Sequence, residues 1–255
     1  MAQFRFASLG SGSRGNATLV NWGDKYLLID CGFSVKELKA RLARFELDIE
    51  QLSAVLVTHE HTDHIKGVAT LAKRHARPVY MTPGTCHSKG FEVLPHLCLI
   101  QDYQPFVLDD LLITPIPVPH DAREPIQFVF EFDAKKLGVL TDLGSITPKI
   151  EESYRTLDAM ILEANHDSHM LASGIYPSSL KQRVGGSWGH LNNHQAAGFI
   201  SRVDCERLQH LVLAHISQQN NTLDLVRSVV APVTGAVQKV TYACQNHGFD
   251  WLSVV

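Results

Sequence analysis

Apolar positions fall into two kinds of run along this chain. Phe4–Leu9, Ala17–Asn21 and Lys25–Asp30 are short, half-apolar stretches broken by glycine-rich turns, a pattern that predicts strands. Val35, Leu38, Leu42 and Phe45 then recur at three- and four-residue spacing, which predicts a helix over Val35–Phe45. Ala54–Thr58 is a short β-branched run, expected as a buried strand, and Ile65–Arg74 returns to helical spacing. Further strands are predicted at Pro78–Met81, Leu111–Val118, Gln127–Phe132, Lys136–Thr141, Asp158–Glu163, Leu211–Ala214 and Val240–Cys244. Helices are predicted at Leu191–Arg202 and Leu223–Val230. Strands come in clusters with helices between them, as two sheets sandwiched between helices would require. The wholly apolar runs suit strands buried on both faces. No repeat, low-complexity tract or linker divides the sequence, so the expectation is one domain over residues 1–255.

Composition narrows the class. The chain is 45% hydrophobic and 19% charged, enough apolar material for a core, which excludes a disordered chain. No run approaches the ~18 apolar residues of a membrane span. The opening MAQFRFASLGSGSRGN has no basic start followed by an apolar block, so no secretory signal is expected. The five cysteines are scattered and contain no CxxC pair, which reads as free thiols in a reducing compartment, hence a cytoplasmic protein. The net charge of −3 implies no broad basic face for nucleic acid, although a local patch remains open. Fourteen histidines, several beside carboxylates, are what changes the picture.

The densest cluster is Thr58-His59-Glu60-His61-Thr62-Asp63-His64, directly after an apolar strand. Neutral imidazole and carboxylate are the preferred donors for zinc and related divalent ions. His59 and His61, two residues apart on extended backbone, point the same way, whereas Asp63 and His64 lie past the turn and can face a second point. That suggests two cations close together, an arrangement used to hydrolyse esters and phosphodiesters. An exposed polar loop is the competing reading of the cluster. Other candidates also follow predicted strands: His120 in Val118-Pro119-His120-Asp121, Asp142 in Thr141-Asp142-Leu143-Gly144, and His215 in Ala214-His215-Ile216. Taken singly each is weak, since His120 reads equally as a loop histidine and Asp142 as a helix cap. Together they place a donor at several strand ends, where one shared site would form.

This motif set resembles the HxHxDH signature of the metallo-β-lactamase superfamily, with His120, Asp142 and His215 in the order of its remaining ligands. The resemblance spans nearly the whole chain. It implies an α/β fold: an αββα four-layer sandwich of two mixed β-sheets flanked by helices, with two divalent ions, Zn²⁺ or Mn²⁺, at one edge. It also implies that His59, His61 and His120 hold one ion, Asp63, His64 and His215 the other, and that Asp142 bridges them. A bridging carboxylate suits the charge balance, because it offsets the repulsion of two dications.

Fold alone does not give the substrate. Gly10-Ser11-Gly12-Ser13-Arg14-Gly15-Asn16 resembles the SGSxGN opening of the YycJ/WalJ group, as do PVPHDA at 117–122, LEANHD at 162–167 and Gly189-His190-Leu191-Asn192-Asn193. Members of that group are linked to DNA processing as 5′ exonucleases, and related small enzymes mature tRNA 3′ ends. By the same likeness His190 is the candidate proton donor and Glu163 the residue that orients it. His190 precedes a predicted helix whose free N–H groups would favour phosphate, while a structural or capping role is the bland alternative. Asp63 is a candidate base toward the attacking water.

The glycines of the opening read as a tight hairpin, with Ser13 and Asn16 as candidate substrate contacts. His166, Lys181 and Arg183 are further candidates, against which stands ordinary solvated charge. About fifty residues separate Glu163 from His215, too few for the inserted domain of messenger-RNA-cleaving relatives. No long arm for gripping tRNA is visible. The expectation is a phosphodiester hydrolase, a 5′-to-3′ DNA exonuclease in preference to an RNase. The alternative is a hydrolase of the same fold acting on a thioester, a lactone or a cyclic phosphate.

Overall fold

The computed structural model describes residues 3–255. Its elements run β1 (Phe4–Gly10), β2 (Ala17–Trp22), β3 (Lys25–Ile29), α1 (Val35–Leu42), β4 (Leu52–Leu56), α2 (Thr62–Ile65), α3 (Val68–His75), β5 (Val79–Met81), α4 (Pro83–Lys89), β6 (Leu97–Leu99), β7 (Phe106–Leu108) and β8 (Leu111–Pro117). They continue with β9 (Ile126–Phe132), β10 (Lys135–Leu140), α5 (Pro148–Tyr154), β11 (Ala159–Glu163), α6 (Ser168–Ser173), α7 (Ser178–Val184), α8 (Asn193–Ile200), β12 (His210–Ala214), α9 (Leu223–Val230), β13 (Lys239–Tyr242) and β14 (Phe249–Ser253).

The strands form two seven-stranded sheets, in the orders β14-β1-β2-β3-β4-β5-β6 and β13-β12-β11-β10-β9-β8-β7. Both are mixed. In the first, β14, β1, β2 and β3 pair antiparallel and β3 to β6 parallel; in the second, β7 to β10 pair antiparallel and β10 to β13 parallel.

Three apolar layers hold the sandwich. Phe6, Trp22, Phe128 and Phe130 fill the seam between the sheets. Leu38 and Leu42 of α1 and Val68 and Leu71 of α3 cover the outer face of the first sheet. Ile150 and Tyr154 of α5, Phe199 and Ile200 of α8 and Val226 of α9 cover the second. Layering on both faces explains why β11 is buried at every residue and reads as a wholly apolar run. The expected αββα sandwich is therefore what the chain forms.

Two differences from the sequence reading have physical causes. The helix expected over Ile65–Arg74 is two helices, α2 and α3, parted at Gly67. A side chain at Gly67 would meet the Cys31 sulfur at 2.4 Å, and its N–H donates to Cys31 O instead of continuing the helix. The helix expected from Leu191 starts at Asn193, because Asn192 and Gln195 close a reciprocal capping box there. β6, β7 and β14, with α4 to α7, are elements beyond those the sequence pattern predicts. No helix among the described residues is long and apolar enough to cross a membrane.

Candidate active site

Strand ends deliver the polar residues. Asp30 follows β3, Thr58 to His64 follow β4, His120 follows β8, Asp142 follows β10, Glu163 ends β11 and His215 follows β12. Asp30, Asp142 and His215 adopt φ of 61°, 56° and 51°, a left-handed conformation that non-glycine residues seldom take. Three such residues around one point mark a place where backbone strain is tolerated for the sake of side-chain direction. Asp142 is not a helix cap, since α5 begins at Pro148 under Thr147.

His59, His61 and His120 meet first. His59 Nε2 lies 3.0 Å and His120 Nε2 3.2 Å from His61 Nδ1. The remote nitrogens of two of these rings are already committed. His120 Nδ1 lies 3.0 Å from the Gly189 carbonyl and must donate to it. His59 Nδ1 lies 2.9 Å from Thr58 Oγ1, which itself donates to Asp30 Oδ2 at 2.8 Å. Both Nε2 atoms therefore present lone pairs to His61. One imidazole proton cannot satisfy two lone pairs, whereas a cation satisfies all three nitrogens. Burial, reinforced by His64, holds His59 well below its ordinary pKa, and burial lowers His120 as well, so both favour the neutral, ligating form.

His64 stands on the other side of His59. Its Nδ1 lies 2.7 Å from Asp30 Oδ2, so its Nε2 turns toward Asp142 Oδ1 at 3.5 Å and Asp63 Oδ2 at 3.6 Å. His215 Nδ1 approaches the same Asp142 oxygen to 3.0 Å. Burial opposes charge on His64 and His215, but Asp142 with Asp30 holds His64 well above its usual value. Asp142 with Glu163 holds His215 at about 10. Against its burial, Asp142 is pulled well below the carboxylate range by His215 and His64. The field at this point favours positive charge.

The donor set fits a divalent metal. Donor atoms of His59, His61 and His120, of His59, His64 and Asp142, and of Asp142, Glu163, His190 and His215 each lie within 4.8 Å of one another. Asp142 Oδ2 is buried without a hydrogen-bond partner, an unusual cost unless another species completes it. Asp142 touches both halves of the cluster, and Asp63 stands beside His64.

His190 and Glu163 form a pair at the edge of this cluster. Glu163 is fully buried and accepts from Asp142 N at 2.8 Å and Leu191 N at 2.7 Å. Its Oε2 lies 3.0 Å from His190 Nδ1. Burial would raise its pKa, but His190 and His215 together bring it down to about 2. An ionised Glu163 thus receives the Nδ1 proton of His190, leaving Nε2 as the ring's exchangeable nitrogen.

A cleft of about 400 Å³ opens above, lined by Ser13, Asp63, Tyr176, Arg183, His190 and His215 among others. Arg183 is ion-paired with Asp121 there. Asn16 faces inward: its amide nitrogen lies 3.1 Å from His64 Nε2 and 3.4 Å from Asp63 Oδ2, and its oxygen accepts from Gly12 N. Lys181 does not line the cleft and spends its ammonium on the Ala172 carbonyl at 2.7 Å. His166 is buried and does not line the cleft, and its Nδ1 is unpartnered. The sequence reading omitted Asp30 and Thr58, which orient His59 and His64, and gave no role to Asp121. Asp30 sits in Leu28-Ile29-Asp30-Cys31, where nothing separates it from any strand-end aspartate.

Two layered sheets with a histidine and aspartate centre at their strand ends define a metal-dependent hydrolase. The beta-lactamase superfamily domain matches residues 25–216. Exodeoxyribonuclease YycJ of Bacillus anthracis is 36% identical over 237 residues, 89% of this chain and 88% of that protein. Exodeoxyribonuclease WalJ of Streptococcus pneumoniae is 34% identical over 230 residues, 87% of this chain and 85% of its own. The crystal structure of the metallo-β-lactamase-fold protein YhfI from Bacillus subtilis superposes with a TM-score of 0.77 at 19% identity, covering 99% of this chain and 100% of that one. The chain belongs to the metallo-β-lactamase superfamily, in its YycJ/WalJ group.

Proposed function

We propose that this protein is a nuclease that hydrolyses phosphodiester bonds of DNA from the 5′ end. The observation that carries the reading is the convergence of six donor side chains, with Asp63 beside His64, next to a His190–Glu163 pair at the floor of an open cleft. The likeness to two proteins named exodeoxyribonucleases supports the choice of DNA.

His59, His61 and His120 would hold one divalent ion, Asp63, His64 and His215 a second, with Asp142 between them; zinc and manganese both suit the donors. Bound there, such ions polarise phosphoryl oxygens and make water acidic enough to ionise near neutral pH. Asp63, steadied by the Asn16 amide, accepts the proton of the attacking water at its carboxylate. His190, protonated and held through Nδ1 by ionised Glu163, releases its Nε2 proton to the departing alkoxide. Ser13 and Arg183 line the path of the substrate. With a net charge of −3 the chain offers no broad basic face, so its grip on the strand would be local. All five cysteines are unpaired, which supports a cytoplasmic location.

The test is metal analysis together with digestion of 5′-labelled and 3′-labelled DNA and RNA. Mononucleotide released first from the 5′-labelled DNA is the expected result. Hydrolysis of a glutathione thioester, with both nucleic acids left intact, would overturn the reading.

A further inference from the structure

We propose that Asp121 and Arg183 form a phosphate clamp. Asp121 is a positioning residue that holds the Arg183 guanidinium by its Nε edge, and the free edge of the guanidinium takes the phosphate next to the scissile one. This deepens the nuclease reading above and rests on it.

Both side chains line the cleft, and among its described lining residues Arg183 is the only arginine or lysine. The same lining holds Asp63, Asp121 and Asp142. A strand entering the cleft therefore meets one permanent side-chain cation, and phosphates bind where such charge is offered.

Arg183 is held at two points. Its backbone belongs to the last turn of α7, where Val184 O accepts from His190 N at 2.8 Å, so the helix end keeps register with the candidate proton donor. α7 buries no residue, so packing does not fix the side chain. Asp121 does, because Arg183 Nε donates to Asp121 Oδ2. The other oxygen of that carboxylate, Oδ1, lies 3.5 Å from His120 Nε2 and 3.8 Å from His61 Nε2. One carboxylate thus spans the gap from the donor cluster to the guanidinium. Arg183 stands just outside the cluster, where a neighbour of the reacting phosphate would lie.

The guanidinium fork selects the occupant. It carries five N–H donors in one plane, and Asp121 takes the one on Nε. Those on Nη1 and Nη2 have no partner among the described residues, and 57% of the side chain is exposed. Paired N–H groups of this kind match two oxygens of a phosphate. A lone carboxylate beside the strand would repel phosphate. Bound to Arg183, it is neutralised and sets the direction of the remaining donors.

The experiment measures, by fluorescence anisotropy, how the metal-loaded protein binds a hydrolysis-resistant phosphorothioate oligothymidylate. The comparison strand lacks charge on both sides of its first linkage, with a methylphosphonate on one side and a 5′-hydroxyl on the other. Arg183→Gln should weaken binding of the charged strand about tenfold and lower the salt slope by about one, with no further loss on the comparison strand. Asp121→Asn tests the positioning by its sign. Removing a negative charge beside phosphate should tighten binding by Coulomb attraction alone. If Asp121 aims the guanidinium, the variant weakens binding several-fold instead, and the same change made in Arg183→Gln tightens it. Tighter binding in both backgrounds would overturn the positioning role, and equal losses from Arg183→Gln on both strands would overturn the clamp. So would loss of metal from Asp121→Asn by mass spectrometry, which would assign the carboxylate to His61 and His120. A wild type that binds the strand but leaves a cleavable copy intact would remove the nuclease reading alone, because the binding series is read without turnover.

Discussion

The floor and the wall of the cleft are built on opposite principles. On the floor Thr58, His59, His64, Asp142, Glu163 and His215 are all nearly inaccessible, sit at the ends of core strands and hold one another by hydrogen bonds. The wall, residues 172–188, buries nothing, and α7 contributes no buried residue to the core. A floor of that kind fixes donor positions closely enough for chemistry, because each ring has one permitted orientation. A wall of that kind loses little stability when it changes and is free to follow a substrate. On the proposed reading, the floor would set the reaction type and the wall the substrate choice.

The contrast breaks most severely at Asp142. It touches both halves of the donor cluster and leaves one oxygen buried and unpartnered. Asp142→Ala should reduce activity to background and lower the bound metal measured by mass spectrometry. Because that change also leaves His64 and His215 without their shared carboxylate, Asp142→Asn serves as a control that keeps the side-chain volume. Full metal content and turnover in both variants would remove Asp142 from the centre.

His190 stands where floor and wall meet, one face on Glu163 and a fifth of its side chain exposed to the cleft. His190→Ala should leave the metal bound and lower kcat by about 10²–10⁴-fold on a substrate whose alkoxide leaves poorly. The loss should be far smaller with p-nitrophenolate, which departs without a proton. Equal losses on both substrates would reduce His190 to a structural part.

The two regions also differ in how far they could be read from sequence. The floor residues are chemically unusual for their positions: imidazoles and carboxylates directly after apolar strands stand out because such strands have no other need of them. β11 and β12 were legible for a related reason, since burial on both faces forces continuous apolar runs. β6 and β7, three residues each, are too short to show a period, and each lies at the edge of its sheet. The wall was illegible because its residues follow no burial pattern at all. Lys181 and Arg183 stand out there by charge, yet their charges are engaged within the protein. Exposure is a property of the folded surface, and no local sequence pattern encodes it.

Asp30 gives the finest test of the floor, because it is expected to touch no substrate and no metal. Its carboxylate accepts from Thr58 N and Thr58 Oγ1, each at 2.8 Å, and from His64 Nδ1 at 2.7 Å. Through Thr58 it also reaches His59 Nδ1, so one buried group sets the orientation of rings on both sides of the centre. Alanine would be a poor probe, since Asp30 has φ of 61° and a β-carbon there without a compensating side-chain hydrogen bond adds backbone strain. Asparagine tolerates that conformation and keeps the shape, but it presents one accepting oxygen where the carboxylate presents two. Asp30→Asn should therefore fold normally and weaken metal affinity about 10–100-fold, the range found when partners behind metal-binding histidines are lost. Competition against a chelator measures the affinity, and activity should return when metal is raised. An unchanged affinity would mean that packing alone orients His59 and His64, and the floor would then owe its precision to the core strands and not to this hydrogen-bond chain.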